Sequence, residues 1–181
     1  MIVVFHAHPY PRRSRACAAL VAAIRDLPDI ELRSLYDLYP DFDVDAAAER
    51  SAMERARLAV WLHPIYWYTA PALMKHWFDQ VLVKGWAYGP GGTALRGKDC
   101  LWAATTGGDE HAYTPQGRHE HPFAVFAPVV EQTARYCGMN WLDPFVVHGA
   151  HEVPPEALRD AGARLRARLE SWSAAQPAPQ G

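Results

Sequence analysis

Short apolar runs alternate with amphipathic stretches along most of the chain. Ile2-Val3-Val4-Phe5 is continuously apolar and β-favouring, as in a strand covered on both faces. It ends in His6-Ala7-His8-Pro9-Tyr10-Pro11, which can continue neither a helix nor a central strand. Residues 16–27 place Leu20, Ala23, Ile24 and Leu27 at helical spacing, and Ser14 stands where an N-cap belongs. The pattern then predicts a strand over 31–35, a loop over 36–45 and a helix over 46–57 capped by Asp45. A third strand is expected over 58–62. The helix over 70–83 carries Leu73, Trp77, Val81 and Leu82 on one face. Residues 85–97, rich in Gly and Pro, read as irregular. A fourth strand over 99–106 closes in Gly107-Gly108 and is followed by a long polar loop over 109–122. A helix over 123–136, a fifth strand over 141–147 and an amphipathic helix over 154–172 complete the pattern. Residues 173–181 are expected to form a disordered tail, so the folded domain spans 1–172.

Five strands alternating with five helices imply an α/β domain with a doubly wound parallel sheet and helices on both faces. The count suits a flavodoxin-like five-stranded order, 2-1-3-4-5. Ligands of such sheets bind beyond the carboxyl ends of the strands, at the switch point between strands 1 and 3. The loops over 6–15, 63–69 and 105–121 emerge there. They are also the chemically richest segments of the sequence.

Bulk properties narrow the class. A formal charge of −2 gives no electrostatic case for nucleic acid. Cys17, Cys100 and Cys137 are odd in number and far apart, which suggests neither a zinc cluster nor a disulfide scaffold. No apolar run is long enough to span a membrane, and the first residues lack the charged start of a signal peptide. A cytoplasmic protein is expected.

The first loop carries Arg12-Arg13-Ser14-Arg15 before a helix start. This is either a solvated basic turn with a cap or an anion site suited to a terminal phosphate. The second carries Tyr66-Trp67-Tyr68, three rings that either pack under the next helix or grip a flat ligand. The third opens with Thr105-Thr106-Gly107-Gly108, where two glycines let backbone approach a planar ring closely. Further along stand His111, Tyr113, His119 and His121, which are surface polar groups or donors to a developing charge. His6, His8 and His63 have no HExxH or carboxylate-rich partner, so no metal is expected. GxGxxG, the P-loop and GxSxG are all absent from the sequence, which disfavours Rossmann dinucleotide binding, ATPase and serine hydrolase chemistry.

Taken together, 63–75 (His-Pro-Ile-Tyr-Trp-Tyr-Thr-Ala-Pro-Ala-Leu-Met-Lys), Gly85-Trp86-Ala87-Tyr88-Gly89 and Thr105-Thr106-Gly107-Gly108 resemble the flavodoxin-like NAD(P)H:quinone oxidoreductases. Ala7-His8-Pro9, Ser34 to Phe42 and Tyr136 to Leu142 are similar to the bacterial ancillary flavoproteins of glutathione-gated potassium efflux, the KefF type. The resemblance implies a homodimer that binds FMN rather than FAD. It also implies ping-pong hydride transfer from NAD(P)H to quinone-like acceptors. By position, His8, Ser14, Arg15, Ala16 and Cys17 would hold the FMN phosphate and ribityl chain. Ile65, Tyr66, Trp67, Tyr68, Thr105, Thr106, Gly107 and Gly108 would hold the isoalloxazine. The spacing of Tyr113, Gly117 and His119 is similar to that in DT-diaphorase, which implies that Tyr113 and His119 are catalytic. A regulatory subunit that docks on a potassium efflux antiporter, at the inner face of the membrane, is the second implication. A one-electron carrier is disfavoured, because such carriers are far more acidic and need no loop like 109–121.

Overall fold

The computed structural model describes residues 1–176. Strands β1 (Ile2–His6), β2 (Ile30–Ser34), β3 (Leu58–Pro64), β4 (Asp99–Thr105), β5 (Asn140–Trp141) and β6 (Phe145–Val147) form one parallel sheet in the order β2-β1-β3-β4-β5, with β6 also on β4. The helices are α1 (Ala16–Ile24), α2 (Leu35–Leu38), α3 (Ala46–Arg55), α4 (Ala72–Val81), α5 (Pro128–Tyr136) and α6 (Pro155–Ala174).

Strand alternation divides the core in two. Val3, Phe5, Ala59, Trp61, Cys100 and Trp102 point to the side packed by α3, α4 and α5. Ile2, Val4, Leu58, Val60, Leu62 and Leu101 point to the side packed by α1 and α6. All these positions are buried, which is why the strands read as unbroken apolar runs.

The expected fifth strand is two strands. Cys100 pairs with Trp141 and Ala103 with Phe145, so the edge strand inserts one residue more than β4 across the gap. Pro144 stands in that gap and cannot donate to the ladder. The helix expected over 123–136 divides for a related reason. A 3₁₀ turn, Phe123–Phe126, precedes α5, and Pro128 opens the helix because its ring would clash inside one. Within the loop expected over 36–45, α2 forms a single helical turn. Asp45 caps α3 as expected, accepting from the amides of Ala47 and Ala48 at 3.1 and 3.0 Å. Helix α6 runs two residues into the segment expected to be a tail, and residues 177–181 lie outside the described range.

One carboxylate is fully buried on the α3–α4 side. Glu49 accepts from Tyr39 Oη at 2.6 Å, Trp77 Nε1 at 2.8 Å and the Arg33 guanidinium, whose Nε lies at 2.8 Å. Arg33 also bonds Glu31, which Arg55 bonds in turn. Removing the anion strands the buried indole N–H and phenol and takes one of two carboxylate partners from the half-buried guanidinium. Glu49→Ala is therefore expected to destabilise by about 3–5 kcal/mol, measured by urea unfolding.

Candidate active site

The carboxyl ends of β1, β3 and β4 open on a cavity of about 250 Å³ lined by His8, Tyr10, Arg13 to Cys17, Pro64 to Tyr66, Thr105 to Gly107, Ala150 and His151. The second and third loops are tied side by side, since the Ile65 amide donates to Thr105 O at 2.8 Å.

One end of the cavity gathers hydrogen-bond donors. Ser14 lies one residue before the cap position of α1, and its Oγ accepts from the Ala18 amide at 3.2 Å. Its own proton therefore points elsewhere. The amides of Ala16 and Cys17 in the first turn have no acceptor among the described residues. His8 accepts the Tyr10 amide at Nδ1 (3.0 Å), and burial holds its pKa below the ordinary value. The neutral ring then carries its proton on Nε2, as a donor. Two residues placed here by the sequence contribute differently from what their side chains suggest. Arg15 turns its guanidinium to the carbonyls of His151 and Val153, so it pins the loop after β6. The Cys17 thiol lies 3.4 Å from Thr105 Oγ1 and is pushed up to about 11 by burial, so it is an inert tie between α1 and β4.

The other end is a floor of backbone. The carbonyls of Thr106 and Gly108 accept from the amides of Ala150 and Gly149, each at 2.8 Å. The amides of Gly107 and Gly108 have no acceptor among the described residues. Gly107 lines the cavity and Gly108, also expected to hold the ring, does not. Gly108 also has little room for a side chain. A Cβ there would lie 3.1 Å from His119 Nε2 and 3.3 Å from Tyr113 Cε2. Gly108→Ala is expected to destabilise by about 1–3 kcal/mol in urea unfolding, while shifting the His119 ring signals in an NMR spectrum.

Tyr113 and His119 thus sit directly behind the glycine floor. Their ring centroids are 4.4 Å apart, brought together by a turn at Gly117 in which a Cβ would strike His111 O at 2.1 Å. Burial raises the Tyr113 pKa, and the neighbouring Thr106 hydroxyl partly offsets this. His111 and His121 stand exposed and do not line the cavity.

Tyr66-Trp67-Tyr68-Thr69 is a tight hairpin closed by Tyr66 N to Thr69 O at 3.0 Å and Thr69 N to Tyr66 O at 3.1 Å. Both central residues have positive φ, +49° for Trp67 and +65° for Tyr68. Asn-Gly normally fills such a turn, and aromatic side chains there cost of order 1–3 kcal/mol each. The geometry thrusts Trp67 out at 91 % exposure and brings Tyr68 Oη 3.4 Å from His119 Nδ1, with its ring stacked on Phe126. Ile65 and Tyr66 line the cavity, whereas Trp67 and Tyr68, expected to hold the ring, are not among its lining residues.

His63 is not available to a ligand. Its Nε2 accepts from Trp102 Nε1 at 3.0 Å, and its Nδ1 lies 2.9 Å from Pro64 O. Tyr10, Pro64, Ala150 and His151 are lining residues that the sequence reading missed. Ala150 and His151 come from the loop after β6, which the carboxyl-end rule would have included had it been extended from strand 4 to its neighbour.

A flavodoxin-like fold model matches residues 1–170. The chain belongs to the flavodoxin-like family. Among the relatives of this flavodoxin-like protein, the glutathione-regulated potassium-efflux system ancillary protein KefF of Citrobacter koseri is 47 % identical over 176 residues, covering 97 % of this chain and 98 % of that one. The general stress protein 14 of Treponema denticola, solved in complex with FMN, is 32 % identical with a TM-score of 0.89, over 94 % of this chain and 98 % of that one. An NADPH-quinone reductase from P. pentosaceus shares the fold at a TM-score of 0.84 and 24 % identity, over 93 % and 96 % of the two chains. Among the described residues, no helix is long and apolar enough to cross a membrane.

Proposed function

We propose that this KefF-like protein is an FMN-dependent NAD(P)H:quinone oxidoreductase. The observation that carries the reading is one cavity lined at one end by Ser14 and the first turn of α1 and at the other by Thr105 to Gly107, with the Tyr113–His119 pair packed against the adjoining Gly108. The likeness to an FMN-bound structure and to KefF proteins supports it.

A bound flavin supplies the hydride chemistry, taking hydride from a nicotinamide and passing it to a quinone. The residues of this chain bind and orient. Ser14, His8 and the Ala16 and Cys17 amides offer donors to a terminal phosphate. The amides of Gly107 and Gly108 would hold the polar edge of the ring, and Ile65 and Tyr66 would wall its side. Arg15 closes the phosphate end by fastening the loop after β6, which suits a mononucleotide better than FAD. Tyr113 is held protonated by burial, and with His119 it donates toward charge that develops on the ring or on the reduced acceptor. Nicotinamide and quinone occupy the same rim in turn, in a ping-pong order.

The working unit is a homodimer. Val129 and Tyr136 are exposed. They line an apolar groove of about 260 Å³ between α4 and α5, together with Phe78, Leu82, Tyr88 and Val130. A second copy would cover this face and complete the rim of the site.

A second reading rests on the KefF relatives, whose name ties them to potassium efflux. In that reading the protein docks on an efflux antiporter at the cytoplasmic face of the membrane and regulates it. Co-purification from membranes tests this directly.

The deciding experiment for the enzyme is simple. Purified protein should be yellow, release FMN on heating, and reduce a small quinone with NADH or NADPH. A colourless protein that takes up neither FMN nor FAD overturns the reading.

A further inference from the structure

The floor residue Thr106 is held by a group outside the cavity. Its hydroxyl donates to Gly108 O at 2.7 Å, and a carbonyl can only accept. A threonine has a single hydroxyl proton, so His148 Nδ1, 3.0 Å from the same oxygen, must be the donor in that bond. Neutral His148 is thereby the Nδ1–H tautomer.

Its ring has little freedom. It packs 5.2 Å from the Tyr113 centroid and 5.4 Å from that of Phe123, and Tyr113 in turn stacks on His119. His148 does not line the cavity. It follows β6 and begins the loop whose Gly149 and Ala150 amides bond Gly108 O and Thr106 O. It is the residue of that loop whose side chain touches both Thr106 and Tyr113.

We infer that His148 is a positioning residue of the ring site, fixing the Thr106–Gly108 floor through the Thr106 hydroxyl and seating Tyr113. Burial disfavours its charged form, opposed by the nearby Glu110 and Asp109, and both protonation states keep Nδ1–H. The consequence for cofactor binding rests on the flavin reading. The hydrogen bond itself rests on geometry alone.

The test uses full-length apoprotein titrated with FMN, followed by quenching of flavin fluorescence. Loss of a hydrogen bond to a buried partner predicts about tenfold weaker FMN affinity for His148→Leu. His148→Asn, whose side-chain N–H reaches the same position, should stay within about threefold of wild type. In a Thr106→Val background, His148→Leu should add little, because the two residues act through one bond. Nitrogen-15 spectra of the wild-type apoprotein should show His148 protonated at Nδ1.

Equal losses for Leu and Asn, additive losses with Thr106→Val, or an Nε2–H tautomer each overturn the inference. Should His148→Leu fail to fold, the Asn variant and the tautomer decide it. A wild-type protein that takes up no FMN overturns the flavin reading, and the tautomer still decides the anchor.

Discussion

His119→Ala and Tyr113→Phe are each expected to lower NAD(P)H-dependent quinone reduction by about 10-fold to 1000-fold, the range for a positioned acid or charge-stabilising donor. Tyr113→Phe is the sharper of the two. It removes one oxygen and leaves the ring that packs on His119 and His148, so the folded structure should survive with an unchanged melting temperature. The loss should fall on kcat, because the hydroxyl acts on charge that is absent from the bound ground state. The two changes should also combine with less than additive effect, since the rings stack at 4.4 Å and form one unit. Steady-state kinetics of the two single variants and the double variant measure all of this. Full turnover in both single variants would show that the pair does nothing in the reaction.

Acid should unfold this protein more readily than its net charge suggests. Burial holds both His6 and His63 down to about 4 from an ordinary 6.5. Both nitrogens of His63 are engaged, and His6 Nε2 is buried with no partner among the described residues. Neither position welcomes a cation. In the unfolded chain both rings take a proton as pH falls through 6.5, while in the folded protein they resist until about 4. Between those values the unfolded state binds more protons, so stability drops as pH falls. From pH 7 to pH 5 the two together should remove about 3 kcal/mol, read by urea unfolding at each pH. His63→Gln keeps an acceptor for the Trp102 indole without a titrating ring, and should remove about half of that slope. A slope unchanged by the substitution would place the acid sensitivity elsewhere.

The sheet was legible in the sequence because a strand buried on both faces has an unmistakable composition. Ile2 to Phe5 and Leu58 to Leu62 have no polar position to disguise them. The edge strand was less legible, because Pro144 interrupts the ladder without interrupting the apolar pattern of Trp141 to Val147. The site was legible to the extent that it depends on loop position. The carboxyl-end rule brought together His8, Ser14, Ile65, Tyr66 and Thr105 to Gly107, and these residues line one cavity.

What the sequence could not convey is side-chain direction. Arg15 is the residue type that binds phosphate, yet its donors go to two carbonyls 136 and 138 positions away. His148 carries no motif, and its part emerges only from pairing with a threonine 42 residues earlier. The approach of Tyr113 to His119 depends on a turn that Gly117 permits, and the family likeness, not periodicity, pointed to it.

The hairpin at Trp67 and Tyr68 sets the terms on which this protein can be improved or can decay. Two bulky residues hold backbone angles that asparagine and glycine would hold with ease, so replacing them should make the fold more robust. The same replacement removes the Tyr68 ring from His119 and Phe126 and the exposed Trp67 ring beside it. A lineage released from its catalytic task, or a laboratory screen that rewards heat resistance alone, would drift toward a small-residue turn here. Aromatic residues at 67 and 68, if related proteins keep them, would therefore be a record of continued use, written where stability argues for their loss.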